Sequence, residues 1–376
     1  MPSRLLALLF LMTTALGSAH EVLVYIGTYT KGTSKGIYVS HFDTHTGKLG
    51  PLTLAAEAVN PSFLALSPDR HQLYAVSEAA DAIYAGKPSG SVNAYTVNAK
   101  DGTLTLINTA ASAGRSPCHL SVTPDGKAVL VANYSSGTVA LLPVRADGGV
   151  DAPSSVDQHE GKSIHPSRQK APYAHSITPT ADGRFAFAAD LGNDQLYTYR
   201  VDTAAGTLKA SEPATTMIEP GSGPRHLAIA PDGCHAYLIN ELANTLTTFA
   251  LDEKSGALKP LQTVPTLPVE FTGKSTTAEV VVHPNGRFVY GSNRGHDSIA
   301  VFRVDQATGT LGIIEHVSTQ GRTPRNFVID PSGRWLIAAN QDGDSLVMFA
   351  VDAESGRLTP TGQTVTVGAP VCVRFY

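Results

Sequence analysis

His175, Arg225, Glu241 and Arg294 combine two side chains able to take a proton with two permanent cations able to grip an anion. Such a set could draw a proton from water and hold the oxyanion formed when water adds to a carbonyl, or bind a carboxylate or phosphate in bidentate fashion. The four residues span more than 100 positions, so this chemistry exists only if the chain returns repeatedly to one place.

A two-part unit that recurs about every 50 residues provides those returns. One part is a Gly-x-Leu-like turn, seen seven times at Gly47, Gly102, Gly148, Gly206, Gly256, Gly309 and Gly356. The other is a tight Pro-Asp-Gly-like turn between two apolar runs, seen six times: Pro68-Asp69, Pro124-Asp125-Gly126, Asp182-Gly183, Pro231-Asp232-Gly233, Pro284-Asn285-Gly286 and Pro331-Ser332-Gly333. Each full unit reads as four short strands joined by hairpin turns. The chain starts at Val22 without the first strand of a unit and ends, at Pro370 to Tyr376, with that strand alone. Four-stranded units of this period predict an all-β, seven-bladed β-propeller of four-stranded blades, its ring closed by the C-terminal strand joining the N-terminal blade. One domain over residues 20–376 is expected, because a closed repeat array is a single unit.

First strands of all blades line the channel and run the same way, so equivalent positions meet at one mouth. Counting back seven from the turn Asp or its equivalent gives Ser62, Cys118, His175, Arg225, Ala278 and Arg325; counting back six gives Phe63, His119, Ser176, His226, Glu279 and Asn326. Packing alone explains such a polar crown poorly, and His226, Glu279 and Arg325 join the candidates as substrate contacts. Counting forward eight gives Ser77, Asn133, Asp190, Asn240, Asn293 and Asn340, a uniformity that belongs to the scaffold, satisfying the backbone of the next bend. The following position varies: Glu78, Tyr134, Leu191, Glu241, Arg294 and Gln341. Variation among equivalent positions is what a specific site superimposed on a repeat produces. The two strands are an antiparallel hairpin, so both sets open on one face. Channel-mouth salt bridges without chemistry are the plainer reading of the same residues.

Asp151 to Pro172 is the longest irregular stretch, rich in polar groups including His159, Glu160, His165, Arg168 and Lys170, and it leads into Tyr173 and His175. Such a loop is either a wall of the site or a solvated excursion. His159 is read as a substrate contact; His159 and His165 lack ligand spacing on a defined element, so neither metal nor cofactor is expected. Charged residues are 16% and hydrophobic ones 42%, with 34 Gly and 24 Pro, a composition for strands and turns. A net charge of -4 with scattered Lys and Arg excludes a nucleic-acid footprint. Arg4, the apolar run Leu5 to Leu16 and Gly17-Ser18-Ala19 read as a signal peptide over 1–19, cleaved after Ala19, too short for a membrane anchor. A periplasmic or secreted mature protein is expected, its oligomeric state open. Cys118, Cys234 and Cys372 are odd in number and lack metal spacing, so they read as buried small residues.

Gln158-His159-Glu160-Gly161, Arg168-Gln169, Ala174-His175-Ser176, Gly223-Pro224-Arg225-His226, Asn240-Glu241-Leu242, Ser292-Asn293-Arg294-Gly295 and Thr323-Pro324-Arg325 are distributed over the mature chain. At these residues the sequence resembles the bacterial lactonase family of seven-bladed propellers, which includes 6-phosphogluconolactonases and is similar to the fungal carboxy-muconate lactonizing enzymes. The resemblance implies a lactone-processing site built from His175, Arg225, Glu241 and Arg294, with a small-molecule lactone as the partner. Tyr173, which the resemblance adds as a substrate contact, departs from the pattern, since many members carry His there. In that setting His175 or Glu241 would activate water without a metal, and the two Arg would hold the oxyanion and any substrate anion. Ser176 would point away from His175 on a strand, so no Ser nucleophile is indicated. Phosphorylated sugar lactones are made inside cells, so export points to an unphosphorylated aldonolactone. A muconate-type lactonizing cycloisomerase and a non-catalytic binding propeller are the alternative readings.

Overall fold

The computed structural model describes residues 20–376, and the expected leader over 1–19 lies outside them. Seven antiparallel sheets form a ring of blades. Their innermost strands, from blade 1 to blade 7, are Pro370–Phe375, Leu64–Leu66, Pro117–Val122, Ala174–Pro179, Pro224–Ile229, Thr276–Val282 and Pro324–Ile329. Each contacts the innermost strands of both neighbouring blades. The ring closes as the sequence predicts: C-terminal Pro370–Phe375 pairs antiparallel with Glu21–Thr28, Val24 opposite Phe375 and Ile26 opposite Val373. Blade 1 departs from four strands only at its outer edge, where Lys48–Leu49 and Thr53–Glu57 both pair with Gly36–Asp43. No α-helix occurs among the described residues; a single 3-10 turn covers Gln341–Gly343.

The repeated turns work as local chemistry demands. In the tight turn the Asp side chain ties the corner, with Asp125 Oδ1 accepting from Lys127 N at 3.1 Å and Thr123 Oγ1 at 2.7 Å, while Gly126 takes the left-handed φ of +70°. Where Gly is missing after Asp69, Arg70 adopts φ +62° instead. Hydrophobic burial then locks neighbouring blades. Second strands such as Ala128–Asn133 are buried along their whole length rather than alternately, because both sheet faces are covered by other blades. A buried tyrosine bolts four of these contacts: Tyr25, Tyr74, Tyr237 and Tyr290 each donate to the turn-glycine carbonyl of the next blade, Gly102, Gly148, Gly309 and Gly356, at 2.8–3.1 Å.

Two expectations need correction. Ser155–Gln158, inside the stretch read as irregular, is the outermost strand of blade 3, pairing Gln158 with Thr138. Cys234 is exposed rather than buried, because it follows the tight turn of blade 5 at the rim; Cys118 and Cys372 are buried.

Candidate active site

A β-bulge at the start of the innermost strand in six blades, all but blade 2, builds the site. In blade 5, Pro224 pairs with Asn240 and His226 with Ile239, so Arg225 has no partner across the ladder. The same shift leaves out His175 in blade 4, Arg325 in blade 7, Cys118 in blade 3 and Val371 in blade 1. In blade 6, Ala278 and Glu279 bulge between Thr277 and Val280. A bulged residue is re-aimed away from the sheet's alternation. Two positions earlier the backbone is left-handed at Asn60, Ser116, Gly223, Thr323 and Ala369, which swings the chain inward. Seven-residue counting therefore finds the bulged residues of blades 3 to 7 and the equivalent Ser62 of blade 2. A second ring follows from the ends of the second strands: Tyr29, Glu78, Tyr134, Leu191, Glu241, Arg294 and Gln341. Tyr29 belongs here because its N–H bonds Ala369 O at 3.0 Å, as Glu78 N bonds Asn60 O and Glu241 N bonds Gly223 O. Sequence counting missed Tyr29, since the split blade 1 has no tight turn to count from.

Blades 4, 5 and 6 bring the predicted four together. Glu241 Oε2 accepts from Arg225 Nε at 3.0 Å and lies 3.0 Å from Arg294 Nη2; its Oε1 takes Arg168 Nη2 at 2.6 Å. Arg168, from the loop before blade 4, also donates to Tyr134 Oη at 3.2 Å. Burial pushes the Glu241 carboxyl up, but Arg294, Arg225 and Arg168 outweigh it and hold it at about 2. A carboxylate so engaged is a counter-ion with little basicity left. His175 Nε2 lies 3.9 Å from Glu241 Oε2, and its Nδ1 faces only the Cys118 sulfur at 3.7 Å. Burial, then Arg225, His226 and Arg325, keep this imidazole well below its usual range, so it is neutral at pH 7. Burial likewise drives the Cys118 thiol up, out of nucleophilic range.

Arg225 is among the largest fully buried side chains of the described residues. Its Nη1 donates to Ala278 O at 2.5 Å and to His226 Nε2 at 3.2 Å. That contact fixes the tautomer: His226 presents Nδ1–H to Glu279 Oε1 at 2.9 Å and keeps Nε2 as an acceptor. Burial brings His226 down to about 4, and Asn326 donates to the other Glu279 oxygen. Arg225 remains a cation although burial and the neighbouring Arg294 and Arg325 lower it to about 10. Among the described residues, Nη2 of Arg225 and Nη1 and Nε of Arg294 have no hydrogen-bond partner; the Nε is buried, so the two Nη groups are left for a ligand. His226 and Glu279 form a layer just inside the bulged ring and line a channel cavity of about 300 Å³ with Phe63, His119 and Arg374.

The other expected contacts are placed differently. Tyr173 stacks on Tyr134 with ring centroids 4.9 Å apart, and Tyr134 presents its ring to His175 at 5.4 Å. Arg325 sits over the Tyr29 ring at 5.5 Å. His159, expected at the substrate, is wholly enclosed: Nδ1 meets Asp190 Oδ2 at 2.7 Å, Nε2 meets Tyr199 Oη at 2.9 Å, and its ring stacks on Tyr197 at 3.7 Å. With both nitrogens committed it anchors the loop that carries Arg168. The uniform Asn ladder is scaffold, but at Asn133, Asn293 and Asn340 it ties the crossover entering the blade as well as the next bend. Asn133 Nδ2 bonds Ser112 O and Thr138 Oγ1; Asn293 Nδ2 bonds Thr266 O and Ser298 Oγ.

A seven-bladed ring with a polar, arginine-rich channel mouth defines a class, and comparison with known proteins agrees. Residues 23–375 match the family described as Lactonase, 7-bladed beta-propeller. The 6-phosphogluconolactonase of Bacillus subtilis is 41% identical over 351 residues, 93% of this chain and 97% of its own. The crystal structure of a putative 6-phosphogluconolactonase from Bacteroides fragilis superposes with a TM-score of 0.88 at 35% identity, covering 95% of this chain and 98% of that one. The periplasmic gluconolactonase of Pseudomonas aeruginosa also gives 0.88, at 37% identity, covering 94% and 99%. The chain belongs to the lactonase family of seven-bladed β-propellers, and its class of activity is that of a carboxylic ester hydrolase acting on lactones.

Proposed function

We propose that this protein hydrolyses an unphosphorylated aldonolactone to the open acid outside the cytoplasm, by attack of water and without a metal. The observation that carries the mechanism is the division of labour around Glu241. Three guanidinium groups hold Glu241 as a carboxylate counter-ion, so the proton from water goes to His175, a neutral imidazole whose Nδ1 meets the Cys118 sulfur at 3.7 Å and whose Nε2, 3.9 Å from Glu241, makes no hydrogen bond among the described residues. The free N–H groups of Arg225 and Arg294 hold the oxyanion of the tetrahedral intermediate, and His175 returns the proton to the ring oxygen as it leaves. The surrounding arginines also make the Glu241 carboxylate a poor place for a metal cation. His226, held by Glu279, positions Arg225 from behind.

Export and the unphosphorylated substrate rest on the N-terminal leader pattern, together with the likeness to a protein described as a periplasmic gluconolactonase. The test is a screen of the mature protein against sugar lactones, with and without phosphate, corrected for spontaneous hydrolysis and followed by identification of the product acid. Turnover of unphosphorylated lactones above background is expected. Activity confined to phosphorylated lactones, or a cytoplasmic protein with its leader retained, overturns the substrate and location proposed.

A further inference from the structure

Across the mouth from the Glu241 cluster, blades 7, 1 and 2 hold a second polar group that the proposed mechanism leaves unused. Glu78 Oε2 accepts from Tyr29 Oη at 2.9 Å and from Ser62 Oγ at 2.6 Å. Glu78 Oε1 has no partner among the described residues. The guanidinium of Arg325 lies over the Tyr29 ring at 5.5 Å and makes no hydrogen bond or ion pair among the described residues. A guanidinium stacked on an aromatic face keeps its in-plane N–H groups available for a ligand. Tyr29 thus holds both partners: its ring carries Arg325 and its hydroxyl tethers Glu78. Arg325 belongs to the bulged ring with His175 and Arg225, Ser62 holds the equivalent place in blade 2, and Tyr29 and Glu78 belong to the second ring with Glu241 and Arg294, so the two clusters face one channel.

We propose that Glu78 and Arg325 form the specificity subsite of this mouth, a donor–acceptor pair that takes the hydroxyl groups of an uncharged polyhydroxy lactone while His175, Arg225 and Arg294 take its ester. The inference rests on the lactone-hydrolase reading and says which residues set the substrate. The charges of the pair sum to zero, so Glu78 offsets the attraction that Arg325 alone would offer an anion at this place. Neighbouring hydroxyls, which both donate and accept, satisfy the carboxylate oxygen and the guanidinium together. A phosphate placed against Arg325 comes close to the Glu78 carboxylate, and like charges in a half-buried place weaken binding on the order of 100-fold.

The test compares kcat/KM for an aldono-1,5-lactone and its 6-phosphorylated counterpart in the wild type and in Glu78→Gln. The wild type is expected to prefer the uncharged lactone. Glu78→Gln should lower kcat/KM for that lactone about 10-fold to 100-fold, mostly through KM, the scale of one charge-assisted hydrogen bond, and should raise it for the phosphorylated one. Tyr29→Phe keeps the stacking and removes only the tether, so a smaller shift in the same direction is expected, and it reads the subsite even if Glu78→Gln fails to fold. Equal losses on both substrates, or a wild-type preference for the phosphorylated lactone, overturn the subsite while leaving the hydrolase intact. Absence of wild-type turnover on every lactone refutes the underlying reading and the subsite with it.

Discussion

Replacing Glu241 by Gln keeps the shape of the side chain and removes the one negative charge shared by Arg225, Arg294 and Arg168. The fall of the Glu241 carboxyl from 4.5 to about 2 corresponds to about 3 kcal/mol of folded-state preference for the charged form. Arg225 is only 1% exposed, so its charge has no solvent to fall back on once the carboxylate is gone. Removing one partner of a buried pair costs about 3–5 kcal/mol in general, in line with that figure. Little of it comes from Arg168, whose side chain is 38% exposed and screened by water. The sign follows from a depressed carboxyl: its stabilisation is complete above the unfolded value of 4.5 and is lost as pH falls toward 2. Glu241→Gln is therefore expected to be about 3 kcal/mol less stable at pH 7, with the gap shrinking by about 1 kcal/mol at pH 4. Urea denaturation followed by fluorescence of the single tryptophan, Trp335, measures this at a residue that bonds Thr44 O across the closure of the ring. A gap below about 1 kcal/mol at pH 7, or one that does not change with pH, would refute the counter-ion assignment.

His119, His175 and His226 are buried with lowered proton affinity, so the folded chain refuses protons that the unfolded chain takes below 6.5. Stability should hold above that pH and then fall by about 4 kcal/mol per pH unit once below pH 6, the slope of three protons; urea midpoints that stay flat down to pH 5 contradict neutral burial. His159→Ala should free the loop carrying Arg168, raising trypsin cleavage at Lys162, Arg168 and Lys170 at least 10-fold, as loss of about 2 kcal/mol of anchoring implies; unchanged cleavage shows that the anchor lies elsewhere. Tyr290→Phe removes only the bolt to Gly356 and should cost about 1 kcal/mol with turnover retained; a loss of turnover would show that blade contacts far from the mouth shape the site.

Much of the architecture was legible because turns carry chemistry in single residues. Asp125-Gly126 and its equivalents marked the hairpins, and the missing seventh tight turn marked the closure at Pro370–Phe375. Counting from those turns also found His175, Arg225 and Arg325 at equivalent places. What counting cannot give is direction. The bulges that turn these side chains into the channel depend on pairing across two strands, although a signal was present: Pro61, Pro117, Pro224, Pro324 and Pro370 each precede a ring residue, and proline in a sheet favours strand starts and bulges. His159 looked like a substrate contact because it lies in a polar loop, yet Asp190 and Tyr199, which enclose it, are separated from it by 31 and 40 positions. The split between His175 and Glu241 was equally invisible, since it depends on Arg168, Arg225 and Arg294 arriving at one carboxylate.

The most direct test of the account is the rate at which the mature protein and its His175→Ala variant open an aldono-1,5-lactone at pH 7, measured by acid release above spontaneous hydrolysis. A drop of about 100-fold or more with unchanged urea stability is predicted, the usual scale for removing a general base. A variant that turns over as fast as the wild type would contradict the assignment of His175 and, with it, the division of labour around Glu241.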